Sequence, residues 1–184
     1  MAEGDNSNAG NMGGNLAGEA APQTQVRVLG QYIKDLSFEN PNVRKLIANP
    51  GDQPNLKVEV NVGAERIDSD LFETWIDFKA TATNNLGTIY VLETVYAGLL
   101  KIESIPEPAL EPFLLISGPT MIFPFLRRLV SDVTREGGFP PLLLDPIDFT
   151  AAYMAQLQAA QQQAVGDETA SPAEEAPSEE PTEG

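Results

Sequence analysis

Apolar and polar residues alternate along the first part of the chain in four segments, and this pattern predicts four β-strands. The first segment runs from Val26 to Glu39, where an Asn-Pro-Asn breaker stops it. The others are Leu56 to Val62, Phe72 to Thr83 and Thr88 to Ile102, with a hairpin turn at 84–87. We therefore expect an antiparallel sheet with one packed face and one wet face.

The first strand places acidic side chains on one face. Residues two apart in a pleated strand share a face, so Asp35, Ser37 and Glu39 should point one way. The opposite, buried stripe is expected to hold Lys34, Leu36 and Phe38. This alternation therefore predicts a strand with one acidic, solvent-facing side and one buried side.

The fourth strand is apolar on both faces. One face holds Tyr90, Leu92, Thr94 and Tyr96, and the other holds Val91, Glu93, Val95, Ala97 and Leu99. An acid surrounded by exposed aliphatic residues is typical of a docking patch, because monomers seldom expose large apolar surfaces. The alternative is a strand that is buried on both faces.

Helical patterns follow the strands. Residues 43–55 are predicted as a loop, and Gly118-Pro119 as a sharp bend before a long helix that ends at Glu136-Gly137-Gly138. Asp148 is a candidate cap for a shorter C-terminal helix that begins at Phe149. Strands first and helices afterwards indicate the α+β class.

The segment from Phe113 to Val130 is apolar on more faces than one sheet can cover, which indicates burial on both sides. An oligomer interface is the simplest explanation. The candidate interface residues are Phe113, Ile122, Phe125, Leu126 and Leu129. The apolar loop from Phe139 to Leu144 either folds under the protein or forms the wall of a groove with Phe149 and Tyr153.

Composition narrows the classes of function. The chain has 184 residues and a net charge of −16, which argues against nucleic acid and against an anionic membrane surface. It has no Cys and no His, so thiolate metal sites and His-based catalysis are excluded, and we expect neither a cofactor nor enzymatic activity. We find no signal peptide and no uninterrupted apolar run of about 20 residues, so we expect a cytoplasmic protein.

Acidic residues concentrate towards both ends of the chain. Residues 164–184 carry seven acids and no base, and they are predicted to form a disordered, solubilising tail. Residues 1–24, rich in Gly, Asn and Ala, are predicted to be disordered as well. One domain, at 25–163, remains between them.

Four runs in this domain resemble the SecB family of bacterial protein-export chaperones, in the same order. They are Lys-Asp-Leu-Ser-Phe-Glu-Asn-Pro-Asn at 34–42, Gly-Pro-Thr-Met-Ile-Phe-Pro-Phe-Leu-Arg at 118–127, Gly-Phe-Pro-Pro-Leu-Leu-Leu-Asp-Pro at 138–146 and Ile-Asp-Phe-Thr-Ala-Ala-Tyr-Met at 147–154. The resemblance covers roughly residues 25–160. Four runs in register are a specific signal.

The resemblance implies a homotetramer, built as a dimer of dimers, that binds unfolded secretory precursor proteins and delivers them to the ATPase SecA. The SecA-docking positions that it implies are Asp35, Glu39, Val91 and Glu93. The client-binding positions are Tyr90, Phe139, Leu142, Leu144, Phe149 and Tyr153. One departure from the family pattern is Asp52, which stands where several relatives carry Trp.

Two other functions remain open at this point. A SecB-like chaperone of a toxin–antitoxin system would use the same grooves for a different client. A small-ligand-binding α+β domain would need an enclosed pocket. An enzyme is disfavoured, because the two candidate carboxylate pairs have ordinary roles. Asp35 and Glu39 suit a solvated strand face, and Asp145 and Asp148 suit a helix cap.

Overall fold

A single antiparallel sheet forms the first half of the domain. The computed structural model describes residues 23–168, and it describes side chains up to residue 159. The strands are β1 (Gln25–Glu39), β2 (Asn55–Arg66), β3 (Leu71–Asn84) and β4 (Gly87–Glu103). Their order is β1-β4-β3-β2, with every neighbouring pair antiparallel. The predicted four-stranded sheet is therefore confirmed, and β1 and β2 are its edges.

The connection between β1 and β2 is not entirely a loop. A short helix, α1 (Val43–Ala48), lies within the predicted loop of residues 43–55. Its first turn closes with a hydrogen bond from the Leu46 N–H to the Asn42 carbonyl oxygen, at 3.1 Å. Leu46 is buried, so this turn is stabilised by tertiary packing that the Pro- and Gly-rich sequence did not indicate.

The helical half begins earlier than predicted and contains no sharp bend. Helix α2 (Glu107–Pro112), a π-helical turn (Phe113–Ser117) and α3 (Gly118–Glu136) follow one another without a break. Pro112 lacks an N–H group, and a wider turn follows it directly. The predicted bend at Gly118-Pro119 is wrong because both residues lie in the first turn of α3, where Pro is tolerated.

Helix α3 lies close against the sheet at its beginning. The Thr74 hydroxyl on β3 donates a hydrogen bond of 2.9 Å to the Leu114 carbonyl in the π-helical turn. A Cβ atom at Gly118 would come within 2.9 Å of the Thr74 side chain. The glycine therefore allows the helix backbone to approach the sheet.

The C-terminal helix, α4 (Phe149–Glu168), is capped as predicted. The Ala151 N–H donates to Asp148 Oδ1 at 3.0 Å. The helix continues past residue 163, the predicted end of the domain. The predicted disordered segments otherwise lie almost entirely outside the described residues.

The main core lies between the sheet and the helices. β3 and β4 contribute Ile76, Phe78, Ala80 and Leu92, and α3 contributes Ile122, Leu126 and Val130. The continuous helix at 107–136 is long and apolar enough to cross a membrane by length and composition alone, although charged residues interrupt its sequence. A core helix passes the same test, and α3 packs on the sheet with seven buried residues.

Candidate protein-binding surfaces

The sheet has a face that no helix covers among residues 23–168, and we call it the open face. Register pairs Glu39 with Val91, Ser37 with Glu93 and Asp35 with Val95 across β1 and β4. All four predicted docking residues (Asp35, Glu39, Val91, Glu93) therefore share this face on neighbouring strands. Asp35 and Glu39 are exposed, whereas Val91 and Glu93 are partly exposed.

A β-bulge changes the predicted orientation of Lys34. The β1–β4 register shifts between Ile33 and Asp35, so Lys34 is an extra residue in the ladder. Lys34 lies on the open face, where its Nζ is 5.0 Å from the centre of the Trp75 ring. The prediction that it shares a face with Leu36 and Phe38 was wrong, because strict alternation fails at a bulge. The predicted stripe is also less buried than expected, since Leu36 is 41% exposed and Phe38 is partly exposed.

The open face contains a nearly buried carboxylate that the sequence analysis missed. Glu73 on β3 accepts hydrogen bonds from the Tyr32 hydroxyl and from Lys34 Nζ, and only 6% of the residue is exposed. Burial opposes ionisation of Glu73, but the hydrogen bonds from Lys34 and Tyr32 outweigh it and lower the pKa. The hydrogen bond to Glu73 and partial burial raise the pKa of Tyr32 to about 12.

A row of alternating charges crosses the open face beside the docking residues. Lys79 on β3 pairs in register with Glu59 on β2 and with Glu93 on β4. Lys79 Nζ is 2.5 Å from Glu93 Oε1, and this hydrogen bond is the main cause that raises the Lys79 pKa. A shallow depression of about 350 Å³ surrounds this pair, and Asp35, Glu59 and Asp77 contribute to its lining.

The predicted client-binding residues lie on the helix-covered side, and most belong to the core. Tyr90, Leu144, Phe149 and Tyr153 are all less than 10% exposed in the single chain. Burial raises the pKa of Tyr90, which keeps its hydroxyl neutral. These four residues can form the floor of a groove, but their side chains offer little surface to a client.

An aromatic cluster stands at one end of the apolar loop. The Phe139 ring is 5.3 Å from the Tyr90 ring and 6.5 Å from the Phe38 ring, measured between centroids. Phe38 and Tyr90 stack at 5.7 Å. Phe139 and Leu142 are partly exposed, so this end retains some accessible apolar surface.

A groove opens at the other end of the loop, between β2 and α4. Its volume is about 400 Å³, and its lining residues are Val60, Asn61, Val62, Ile147, Phe149, Ala152 and Gln156. Of these, only Phe149 was predicted. Val60 and Val62 lie in the predicted second strand, and the signal for a groove is that β2 is an edge strand with no neighbour on that side in the sheet order.

The loop between these two ends is held by a buried threonine. The Thr134 hydroxyl accepts a hydrogen bond from the Leu142 N–H at 2.9 Å and donates one to the Val130 carbonyl at 2.9 Å. The Phe139 N–H also donates to the Thr134 carbonyl, at 3.2 Å. The loop is therefore ordered by α3, although its Pro-rich sequence forms no regular structure.

The predicted oligomer residues separate into two groups. Ile122 and Leu126 have no exposed surface because they pack on the sheet, so they cannot contact a second chain. Phe125 is 44% exposed, and Phe113 and Leu129 are partly exposed. The assignment of Ile122 and Leu126 to an interface was wrong, because the helical stripe that faces the sheet was counted with the outer one.

Asp52 lies in the loop before β2 and is exposed. Its N–H donates to Asn85 Oδ1 at 3.1 Å, and Asn84 Nδ2 donates to the Pro50 carbonyl at 2.8 Å. The β3–β4 turn thus fixes this loop. Within residues 23–168, no group of three or more acidic side chains is arranged to hold a metal ion.

Comparison with known proteins identifies related sequences. The profile of the family Preprotein translocase subunit SecB matches residues 19–160. The chain is 44% identical to the protein-export protein SecB of Afipia carboxidovorans, over 79% of this chain and 91% of that one. It is also 44% identical to the SecB of Parvibaculum lavamentivorans, over 86% of this chain and 92% of that one.

A solved structure has a similar fold. The SecB-like chaperone of Mycobacterium tuberculosis, in complex with a ChAD peptide from an antitoxin, superposes with a TM-score of 0.54. The match covers 67% of this chain and 90% of that one, at 16% identity. At this identity the likeness concerns the fold.

Proposed function

The chain belongs to the SecB family of protein-export chaperones, and we propose that it holds unfolded secretory precursors on one side of its sheet and presents the other side to SecA. The observation that supports this division is the contrast between the two faces. The helix-covered side carries the apolar groove, whereas the open face carries a depression lined mainly by acidic side chains. Such a protein would act in the cytoplasm, before its clients are exported.

The groove between β2 and α4 is suited to an extended apolar segment. Val60, Val62 and Ile147 are partly exposed around a floor formed by Phe149. Backbone groups of an unfolded client could also pair with the free edge of β2, which would add affinity without sequence specificity. This combination fits a holdase that accepts many clients.

The client groove can be tested by changing Val62 and Ile147 together to Ser. Each buried aliphatic side chain contributes about 1.5–3 kcal/mol, so we expect the affinity for an unfolded, slow-folding precursor to fall tenfold or more. Titration calorimetry measures this change in affinity. The negative heat-capacity change of binding should also become smaller, because less apolar surface is buried.

The matched control for this experiment is Val91→Ser, an aliphatic change on the open face of the same sheet. It should leave client binding unchanged and weaken SecA binding. Equal loss of client affinity in both variants would contradict a groove at β2, provided that circular dichroism shows both proteins folded.

The proposed SecA surface consists of Asp35, Glu39, Val91 and Glu93. Register brings these residues together, and a basic partner segment could lie across them. Exposed charges of this kind mainly govern association rate and salt dependence.

Reversing Glu93 to Lys should therefore weaken SecA binding strongly while leaving client holding intact. Glu103→Lys is a matched control, because Glu103 lies on the same strand and face, is similarly exposed and also pairs with a lysine. A protein truncated after Glu168, which keeps α4 and removes five of the seven acids of the predicted tail, tests the tail separately. If the truncation removes SecA binding and Glu93→Lys does not, the docking surface is not the open face.

We propose that the assembly is a tetramer, a dimer of dimers, in which the outer side of α3 contacts another copy. Phe125 is exposed, and Leu129 follows one turn later on the same side of the helix. An exposed phenylalanine and leucine on a helix would be stabilised by burial between copies. Analytical ultracentrifugation at micromolar concentration tests the assembly, and a stable monomer would contradict it.

A further inference from the structure

Lys79 occupies the position where a basic partner would be expected to bind. It stands in the same cross-strand row as Glu93, between that residue and Glu59. Its ammonium group already forms a hydrogen-bonded ion pair with Glu93. The carboxylate that the proposed docking surface offers to a partner is thus paired within the chain.

The surroundings of this pair are strongly acidic. Asp35, Glu59, Asp77 and Glu93 line the same shallow depression of about 350 Å³, and Lys79 is the only basic residue in its lining. Asp77 precedes Lys79 by two residues, on the same face of β3, and adds to the attraction that raises the Lys79 pKa. The depression therefore has the charge and size to accept one further cationic side chain.

We propose that Lys79 is a specificity-determining residue, an internal counter-ion that a partner's Lys or Arg must displace from Glu93. This inference rests on the proposed docking function of the open face. The lysine lowers affinity for any cationic segment that offers a single charge, because the partner must first break an existing pair. A partner with several basic residues can engage Asp35 and Asp77 as well, and so it gains more than it displaces.

The exposure of the pair makes such an exchange feasible. Both side chains are 45% exposed, so water can replace either partner as the pair opens. Exposed ion pairs contribute little to stability, and removal of the lysine should leave the fold intact. The pair can therefore regulate binding without being needed for folding.

The test is Lys79→Met, which keeps the aliphatic stem and removes the charge. We expect its affinity for purified SecA to rise about two- to fivefold at low salt, as measured by biolayer interferometry. The gain should shrink in about 0.5 M salt, where exposed charges are screened. An unchanged or weaker affinity would overturn the proposal.

Lys101→Met provides the matched control. Lys101 lies on the same face of β4 as Glu93 and pairs with Asp70 and Glu103, which do not line the depression, so its removal makes the same change in net charge without freeing a carboxylate there. An equal gain in both variants would show a general charge effect and would contradict a specific role for Lys79.

A double-mutant cycle with Glu93→Gln separates this inference from the function on which it rests. If Glu93 is the group that Lys79 masks, the gain from Lys79→Met should disappear in the Glu93→Gln background. A gain that persists there overturns the counter-ion role. If Glu93→Gln alone leaves SecA affinity unchanged, the docking surface itself is misassigned.

Discussion

The two faces of β4 differ in what their residues contact, although they alternate along one strand. On the helix side, Leu92 and Leu100 have no exposed surface and Thr94 has 1%. On the open face, the side chain of Glu93 is 45% exposed and pairs with a lysine on the next strand. The packed face thus fixes the fold, whereas the exposed charges around Glu93 can change with little effect on the core.

We expect the largest effects on folding and assembly from two neighbouring residues of α3, which should respond differently to substitution. Leu126 is fully buried against the sheet, and Phe125 is 44% exposed on the outer side. An unpaired buried charge costs several kcal/mol, so Leu126→Asp should unfold the protein. Phe125→Asp should leave the protomer folded and split the assembly.

Circular dichroism combined with analytical ultracentrifugation measures both outcomes in this pair of variants. If Phe125→Asp sediments like the wild type, the outer face of α3 is not the interface. If Leu126→Asp stays folded, the packing of α3 on the sheet is wrong.

A smaller effect is expected on the open face, where Trp75 lies across a glycine. A Cβ atom at Gly63 would come within 2.3 Å of Trp75 Cζ2, so Gly63→Ala must displace the indole. We expect a loss of about 1–3 kcal/mol in the free energy of unfolding. The displaced ring should also shift its fluorescence emission to longer wavelength, and Trp75 is the sole tryptophan of the chain.

Gly30→Ala is the control for this substitution. Gly30 lies on edge strand β1, and a Cβ atom there would have no neighbour within 4 Å. We expect little change in stability or emission. Similar losses in both variants would indicate a general intolerance of side chains and not the overlap with Trp75.

The sequence predicted strands and helices well where an alternating or helical pattern extended over many residues. Four strands, the end of α3 and the Asp148 cap were all recognised, because alternation, glycine and capping residues act locally. Helix α1 was missed because tertiary burial of Leu46 stabilises it. The continuous helix through Pro112 was missed because a π-helical turn accommodates the proline.

The face of the sheet on which a residue lies was harder to predict than the bounds of strands and helices. Alternation placed Asp35 and Glu39 on one face of β1, but the bulge before Asp35 moved Lys34 onto that same face. A bulge inserts one residue and leaves no local signature in the sequence. The groove at Val62 was missed for another reason, since it depends on which strand forms the edge of the sheet and therefore on topology.

The smallest expected effect concerns the pH dependence of the Glu73 cluster. The Glu73 pKa lies below its ordinary value of 4.5 in the folded chain, so its ionised form stabilises the fold. This contribution is complete above the pKa of the unfolded chain and is lost as pH falls through the lowered folded value. We expect Glu73→Gln to lose about 1 kcal/mol of stability at neutral pH, and the loss should become smaller as the pH falls below the ordinary carboxyl pKa.

Tyr32 should also make the stability that this cluster contributes fall at high pH. Its pKa is raised from 10.0 to about 12, so its contribution is complete below the unfolded value and is lost as pH rises through the folded one. Urea unfolding at several pH values should show a plateau between the low-pH and high-pH losses for the wild type. In the Tyr32→Phe variant, stability should no longer fall at high pH because of this residue. It should still fall at low pH, because Lys34 still donates a hydrogen bond to Glu73. If Tyr32→Phe also abolishes the fall at low pH, the pH dependence does not arise from this pair of hydrogen bonds.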